Sequence, residues 1–470
     1  MKSKYFKIII ITVILVLFLG IVALFDKALS VGLLLIIFLT TITFLALRKV
    51  EKRDKILFLL FLVTLFIHLV AVLFIHYAHI QPFGGGSGGD YILYQQQAHE
   101  IAQRIHRADF SLQGLSIGHY FPVIIGYIYA LTLPEMIIGQ LFNVWLTGIS
   151  VILVYLMVRE IGGSKNWAFL TGLIVSIYPS YLFYGSLLLK DGFVVLLALS
   201  GLMLSLKLIK NFSLRNFIIF FIILTGLIHF RFYIGCVLLF TFIFCWLMLG
   251  KLNLKKKLIY GTVIVFLLGF SPQISGYGYY GIYNTIEKYL NPQTITYYRE
   301  TAYVPPVQSS PTEAQPPPVQ SSPTEAQPPP PGGMGSSLVI KLEFDNPLKF
   351  VGNYLKSFVY VLLGPLPWQM KYSRHFLALF ETIPWYFLLF FIIKGIVASI
   401  KSYRTAIPLI IFSLGVFVIL ALFLNNFGVV TRIRIPAFIS LLCLIPLGFT
   451  NFKEKIKNSE NKNNKIEFVK

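Results

Sequence analysis

Long apolar runs recur from one end of this chain to the other, and they constrain its fold more than any other feature. The recurring runs are 15 to 23 residues long, about the length that a helix needs to cross ~30 Å of hydrocarbon. Hydrophobic residues make up 56% of the sequence, and the mean hydropathy is +0.76. Because a backbone inside a bilayer must satisfy its own hydrogen bonds, the runs predict an all-α, polytopic membrane protein.

About twelve transmembrane helices are predicted, with both termini on the cytoplasmic side. The predicted inner segments hold most of the 40 Lys and Arg residues, as the positive-inside rule requires. The net charge of +21 is therefore attributed to cytoplasmic flanks that contact anionic lipid, and not to nucleic-acid binding. The predicted spans are residues 7–25, 29–47, 56–78, 136–158, 167–186, 192–209, 217–229, 233–249, 258–275, 376–393, 406–424 and 435–450.

Two further apolar stretches, residues 119–133 and 346–367, are not counted as spans. If either crossed the membrane, the basic loops after it would change sides. Prolines in and beside both stretches favour interfacial helices on the outer surface, although each stretch could instead pair with a missed span. The resulting regions are an amino-terminal membrane region with a first outer loop, a second large outer loop, carboxy-terminal helices and a basic tail: residues 1–275 (loop 79–135), 276–375, 376–450 and 451–470.

The second outer loop contains a tandem repeat. Residues 307–318 read VQSSPTEAQPPP, and residues 319–330 repeat these letters without a change. Proline-rich chain of this kind favours extended polyproline II and adds nothing to a packed core. Residues 305–332 are therefore predicted to be a spacer without a catalytic role.

Ionisable residues in or beside apolar runs are costly, and they are candidates for functional sites. In the predicted topology, the costly residues of this chain all lie on the outer side of the membrane. They are Asp90, Lys190, Asp191, Arg231, Glu381, Arg432 and Arg434. A shared face predicts a shared site.

Asp90 follows a glycine-rich segment and precedes a helical pattern. It is a candidate general base toward an incoming hydroxyl group, and the alternative is an ordinary helix cap. Lys190 and Asp191 interrupt a long apolar sequence. This pair is either part of a functional site or a snorkelling pair that marks the turn between two spans.

Arginines on the outer face oppose the positive-inside trend, and the predicted topology places Arg231, Arg432 and Arg434 there. Guanidinium groups recognise phosphate through paired hydrogen bonds. The three arginines therefore predict a site for a phosphate or diphosphate head group at the membrane surface. The alternative is ordinary anchoring to lipid phosphates.

Aromatic residues and one carboxylate near the same surface are candidates for sugar or acceptor contacts. Trp368 and Trp385 have rings that can stack on sugars, although aromatic belts at membrane interfaces are common. Glu381 lies within an apolar helix and is harder to explain as a belt residue. His99 and Glu100, together with Asp90, are weak candidates for a divalent metal site, and their spacing matches no strong ligand motif. No cofactor is required by the sequence.

The chain resembles the GT-C glycosyltransferases, in particular glycosyltransferase family 39, the dolichyl-phosphate-mannose-protein mannosyltransferase-like group, and the RgtA/B/C/D-like bacterial proteins. The resemblance rests on an Asp-containing first outer loop with Asp90 and Tyr91, on Tyr120-Phe121-Pro122, and on the stretch from Ile177-Tyr178-Pro179 to Lys190-Asp191. Many members of the family carry a second acid where this chain has Tyr91. That departure concerns both the assignment of Asp90 as the base and the presence of a metal ion.

The resemblance implies inverting transfer of one sugar from a polyprenyl-phosphate donor to a lipid, glycan or protein acceptor, at the outer leaflet of a plasma membrane of bacterial type. In this scheme Asp90 deprotonates the acceptor, the three outer arginines hold the lipid phosphate, and Lys190 with Asp191 shapes the donor pocket. A second hypothesis is a polysaccharide polymerase or ligase that uses diphosphate-linked glycans. A third is a lipid-linked glycan transporter, which is disfavoured because no internal repeat is visible and the charges lie at one surface.

Overall fold

The computed structural model describes most of the membrane-embedded part of the chain. Its described residues are 2–50, 55–80, 89–115, 117–270, 283–284, 286–287, 290–301, 340–366, 368, 378–402, 404–423 and 426–449. The proline-rich spacer predicted at 305–332 and the basic tail at 451–470 lie outside these residues. Within them the regular structure is helical and no strand occurs, which confirms the all-α prediction.

Eighteen α-helices, and a short 3₁₀ helix at Arg404–Ala406, are defined in the described residues. The amino-terminal half contains α1 (Lys2–Phe25), α2 (Lys27–Val50), α3 (Lys55–Tyr77), α4 (Asp90–His106), α5 (Phe121–Leu131), α6 (Met136–Glu160), α7 (Lys165–Ser176), α8 (Pro179–Gly185) and α9 (Asp191–Lys210). The remainder contains α10 (Leu214–Phe230), α11 (Phe232–Leu249), α12 (Leu254–Phe270), α13 (Pro292–Thr301), α14 (Pro347–Leu363), α15 (Leu379–Lys401), α16 (Ile407–Phe423), α17 (Phe427–Ile433) and α18 (Ile435–Leu442).

The described helices confirm a multi-pass membrane protein. Seven of them are long and apolar enough to cross a membrane, or nine candidates if two bent helix pairs each count as one span. The other three predicted spans correspond to α1, α10 and α12. Of these, α10 and α12 are 17 residues long. The exact number of twelve and the orientation of the termini stay predictions.

One predicted span is bent where the sequence suggested an uninterrupted helix, and a second predicted span begins directly after a bend. Residues 167–186 lie in α7 and α8, which meet at 62°. The second pair is α17 and α18, which meet at 51°, and this bend lies just before the span predicted to begin at residue 435. Pro179 begins α8, and Pro436 lies at the start of α18. Because proline lacks an N–H and crowds the preceding turn, each helix changes direction there.

The core is built around α6 and α9. Helix α6 packs against α2, α3, α7 and α9, and α9 in turn packs against α10, α11 and the carboxy-terminal helices α16 and α18. Gly148 allows the close approach of α6 and α3, since a Cβ atom there would lie 2.7 Å from the Phe61 ring. Helix α9 therefore joins the two halves of the bundle, and its first residue, Asp191, lies between them.

Both apolar stretches that were excluded from the span count form helices. Helix α5 occupies most of residues 119–133, and α14 occupies most of residues 346–367. Helix α5 packs on α4, and α14 packs on α16. Their position at the membrane interface stays a prediction.

Candidate functional site

Four of the predicted charged residues meet in one group, which we call the Asp191 cluster: Asp90, Asp191, Arg231 and Arg432. The Arg432 side chain lies between the two carboxylates, with Nε 2.5 Å from Asp191 Oδ2 and Nη1 2.7 Å from Asp90 Oδ2. Arg231 Nη2 lies 2.6 Å from the other oxygen of Asp191, Oδ1. The predicted convergence of these residues is thus present, although four separate segments of the chain supply them.

Asp191 is positioned by an asparagine that the sequence patterns did not single out. Asn143, which is fully buried in α6, donates hydrogen bonds from Nδ2 to the carbonyl oxygens of Leu187 and Leu189 at 2.6 and 2.9 Å. These bonds fix the short segment between α8 and α9. Asp191, together with the neighbouring Lys190, therefore follows a segment that is held by α6. A polar residue within an apolar helix was the available signal.

Arg231 is positioned by a tight turn between α10 and α11. Its backbone is extended, with φ −150° and ψ 92°, and its N–H donates to the Leu227 carbonyl oxygen at 2.7 Å. Gly235 permits the close approach of the two helices, because a Cβ atom there would lie 2.5 Å from Ile228. Arg231 also donates from Nη1 to the Tyr233 hydroxyl at 3.1 Å.

Arg432 is positioned by the short helix α17. The Asn426 side chain accepts a hydrogen bond from the Gly428 N–H at 2.8 Å and caps this helix. The Tyr184 hydroxyl of α8 donates to the Gly428 carbonyl oxygen at 3.0 Å. The second helix of one bent pair, α8, therefore contacts the first helix of the other, α17. This contact helps to position Arg432 in the Asp191 cluster.

The Asp191 cluster is closed on one side and open on the other. The Asp191 side chain is 5% exposed, whereas the Asp90 side chain is 49% exposed. Arg432 Nη2 is buried and has no hydrogen-bond partner in the part of the chain that the structure describes. A buried guanidinium N–H without an acceptor is costly. A ligand with anionic oxygens, entering past Asp90, would supply that acceptor.

Lys190 gives this site a net positive charge. Burial, followed by the nearby charge of Arg231, lowers the pKa of the Lys190 ammonium from its ordinary value of 10.5 to about 8. At neutral pH the lysine and the two arginines face two carboxylates, which leaves one excess positive charge. The surroundings therefore favour an anion.

A histidine that no sequence pattern marked lies beside the site. His119 Nε2 is 3.0 Å from the Tyr94 hydroxyl. Burial, with a smaller effect of Lys190, lowers the pKa of His119 to about 3, and burial followed by Asp90 raises the pKa of Tyr94. Both groups are neutral at pH 7 and add no charge. The position of His119, directly before the Tyr120-Phe121-Pro122 motif, was its only signal.

The other two predicted charges form a separate group, the Glu381 cluster, made of Glu381, Arg434, Tyr178 and Ser180. Glu381 accepts hydrogen bonds from Arg434 Nη2 at 2.9 Å, from the Tyr178 hydroxyl at 3.0 Å and from the Ser180 hydroxyl. Its carboxylate is buried and supplied with three donors. The predicted sugar or acceptor contact at Glu381 is not accessible in this arrangement.

Arg434 is enclosed in the same way. It donates from Nη1 to the carbonyl oxygens of Val361 and Gly364, at 2.8 and 2.9 Å, and lies over the Phe438 ring. Its Nε has no partner within the described residues. Unlike Arg432, however, it touches no exposed residue of the Asp191 cluster. Arg434 therefore joins α14 to α15, and its guanidinium is not presented to a ligand.

The structure separates the two predicted tryptophans. Trp385 is 1% exposed, stacks on Phe438 with ring centroids 3.8 Å apart, and donates to the Leu362 carbonyl oxygen. Trp385 is therefore part of the packed core, and its ring is not accessible for the predicted sugar contact. Trp368 is 73% exposed, so its ring faces are free for an interface or a ligand.

The weak metal candidates have other partners. His99 Nε2 lies 2.8 Å from Gln103 Nε2, and Glu100 forms an ion pair with Arg104 at 3.0 Å. The described residues contain no group of three or more His, Cys, Asp or Glu side chains arranged to hold a metal ion. The donor set that a divalent metal requires is not brought together around His99.

Comparison with protein families supports the resemblance. Residues 120–275, about a third of the chain, match the sequence profile of the family described as dolichyl-phosphate-mannose-protein mannosyltransferase. The matched segment includes Lys190, Asp191 and Arg231, while Asp90 and Arg432 lie outside it. No curated protein matches the chain. The resemblance to glycosyltransferase family 39 is confirmed over this segment, and it supports a membrane glycosyltransferase with a lipid-linked sugar donor.

Proposed function

We propose that this membrane glycosyltransferase transfers one hexosyl or pentosyl unit from a polyprenyl-monophosphate donor to an acceptor hydroxyl group at the outer face of the plasma membrane. The Asp191 cluster is the proposed reaction centre. The product would be a glycan or glycoconjugate of the cell envelope. The acceptor would be a lipid, a glycan or a protein.

The observation that carries this proposal is the buried, unpartnered Nη2 of Arg432 in a site with one excess positive charge. Within the described residues no acceptor faces this nitrogen. A lipid phosphate supplies both the acceptor oxygens and the negative charge that this guanidinium needs. Arg231 and Lys190 add positive charge near this guanidinium. During transfer, the leaving phosphate gains negative charge, and fixed cations in a water-poor site stabilise it more than bulk water would.

The proposed reaction is a single displacement at the anomeric carbon. Asp90 accepts the proton of the acceptor hydroxyl, the acceptor oxygen bonds to the anomeric carbon, and the bond from that carbon to the phosphate oxygen breaks. The electron pair leaves with the polyprenyl phosphate, which the cations of the cluster hold. Attack opposite to the leaving group inverts the configuration. The half-exposed position of Asp90 suits a base that meets an incoming acceptor.

A transfer assay tests the donor class. The purified chain in lipid receives radiolabelled monosaccharides on polyprenyl monophosphate, or oligosaccharides on polyprenyl diphosphate, together with extracted membrane acceptors. We expect product from a monophosphate donor only, and at least a ~10-fold loss of kcat/KM in Arg432→Gln, because a hydrogen bond to a charged group contributes about 1.5–3 kcal/mol. The exposed Arg215 lies in none of these groups, so Arg215→Gln is the control. Transfer from diphosphate donors alone would replace the proposal with a polymerase or ligase.

The pH dependence of donor binding tests Lys190. Because its folded pKa is about 8, the side chain is charged below pH 8 and neutral above it, so affinity for the donor phosphate should fall as pH rises. We expect a decrease of up to about tenfold between pH 7 and 9, since the charged fraction falls by that order. Lys190→Arg should bind evenly over this range, because arginine stays protonated. Titrations of the wild type and of Lys190→Arg with a polyprenyl monophosphate, at several pH values from 7 to 9, measure this. If the affinities of the two proteins change with pH in the same way, Lys190 is not part of the donor site.

A further inference from the structure

We propose that Asp90 and the donor phosphate compete for one guanidinium group, that of Arg432, so that donor binding releases Asp90 to act as the base. This inference rests on the proposed function and adds an order to it. Arg432 Nη1 holds Asp90 Oδ2 at 2.7 Å. The residue assigned to deprotonate the acceptor is thus engaged before any donor arrives.

The two bonds of Arg432 differ in how easily they break. Its Nε is bound to Asp191 at 2.5 Å, and Asp191 is buried and also paired with Arg231. Breaking that bond would leave a buried carboxylate with one partner fewer, which is costly. The Asp90 side chain is half-exposed, so water can replace Arg432 as its partner at little cost. Asp90 is therefore the partner that yields.

The part of Arg432 that becomes available has the donor geometry that a phosphate requires. Nη1, once released, and Nη2, which has no partner in the described residues, together form the end-on fork of the guanidinium. Two phosphate oxygens can accept from this fork at the same time. The Nε bond to Asp191 stays in place and keeps the guanidinium aligned. A carboxylate that holds Nη1 alone cannot offer the same pairing.

The exchange gives the reaction an order. Without donor, Asp90 Oδ2 is occupied by the hydrogen bond from Arg432 Nη1 and is not available to an acceptor hydroxyl group. With donor bound, the positive charge of Arg432 is directed to the phosphate, and Asp90 is free to accept the hydroxyl proton. The donor should therefore bind before the acceptor, and departure of the lipid phosphate should restore the pair between Asp90 and Arg432.

A double-mutant cycle on binding tests the competition. The full-length chain in lipid nanodiscs is titrated with a polyprenyl monophosphate as wild type, Asp90→Asn, Arg432→Gln and the double variant. Asp90→Asn should tighten binding about fivefold in the wild-type background, the size expected when a half-exposed ion pair no longer competes. In the Arg432→Gln background the same change should alter binding by less than about 1.5-fold, because there is no shared guanidinium left. Arg432→Lys provides a second background that keeps the charge and removes the fork.

The outcomes separate this inference from the function on which it rests. Equal tightening by Asp90→Asn in all backgrounds would mean simple charge repulsion and would overturn the competition. Unchanged or weaker binding in Asp90→Asn would overturn it as well, while leaving the donor site intact. If the wild type binds no polyprenyl monophosphate at all, the proposed function itself fails.

Discussion

Asp90→Asn is expected to abolish sugar transfer while leaving the protein folded. A positioned general base contributes about 10²- to 10⁴-fold to a rate, and asparagine cannot accept the acceptor proton. The fold should tolerate the change, because Asp90 is half-exposed and Arg432 keeps its bond to Asp191. The loss should therefore appear in kcat, with no loss of donor affinity. Asp90→Ala should behave in the same way.

Single-turnover transfer by the purified variant in lipid measures this effect, and thermal unfolding verifies the fold. Asp109→Asn is the matched control, since Asp109 is exposed in the segment after α4 and caps the Ser111 N–H at 2.9 Å. That variant should keep wild-type transfer. If Asp90→Asn retains activity within a few fold of the wild type, another group accepts the proton and Asp90 has no place in the mechanism.

Glu381→Gln is expected to destabilise the protein by about 3–5 kcal/mol, the usual cost of leaving one member of a buried ion pair without its partner. Arg434 is almost fully enclosed, with 2% of its side chain exposed. The remaining amide cannot neutralise this guanidinium or accept from all three donors that now face Glu381. Because the pair joins α15 to α8 and to the end of α14, we expect the loss to affect the packing of the carboxy-terminal half.

Equilibrium unfolding in mixed micelles measures the free energy of unfolding for each variant. The ion pair of Glu343 with Lys349 is exposed on both sides, so Glu343→Gln should cost less than about 1 kcal/mol and serves as the control. The double variant Glu381→Leu with Arg434→Met should recover much of the loss, because it leaves no unpaired buried charge. A change below about 1 kcal/mol in Glu381→Gln would contradict a structural role for this pair.

The candidate site was partly predictable from the sequence, and the reason differs between residues. Asp191, Arg231 and Arg432 interrupt or border apolar runs, so the cost of placing a charge there marks them in the sequence alone. Asn143 and His119 were missed because neither carries a charge at neutral pH and each had only a weak sequence signal, an apolar helix around Asn143 and a motif directly after His119. Their roles depend on carbonyl oxygens and a hydroxyl that come from other segments of the chain.

Arg432 and Arg434 show where sequence reasoning reaches its limit. The sequence placed both in one phosphate site, since they are two residues apart and chemically identical. The bend between α17 and α18 directs them to different partners: Arg432 contacts Asp90, 342 residues away, while Arg434 contacts Glu381 and the end of α14. Neither the bend angle nor these partners can be read from the local pattern.

The sequence by itself determined the helical class, the multi-pass membrane character and the set of costly charges, because the length of an apolar run and the cost of burying an ion are properties of a segment. Only the tertiary structure decided which charges pair, which are enclosed and which face an opening. Those outcomes depend on how α6, α9 and the two bent pairs pack. Packing brings together groups that are hundreds of residues apart in the sequence, and local hydrophobic patterns do not predict such contacts.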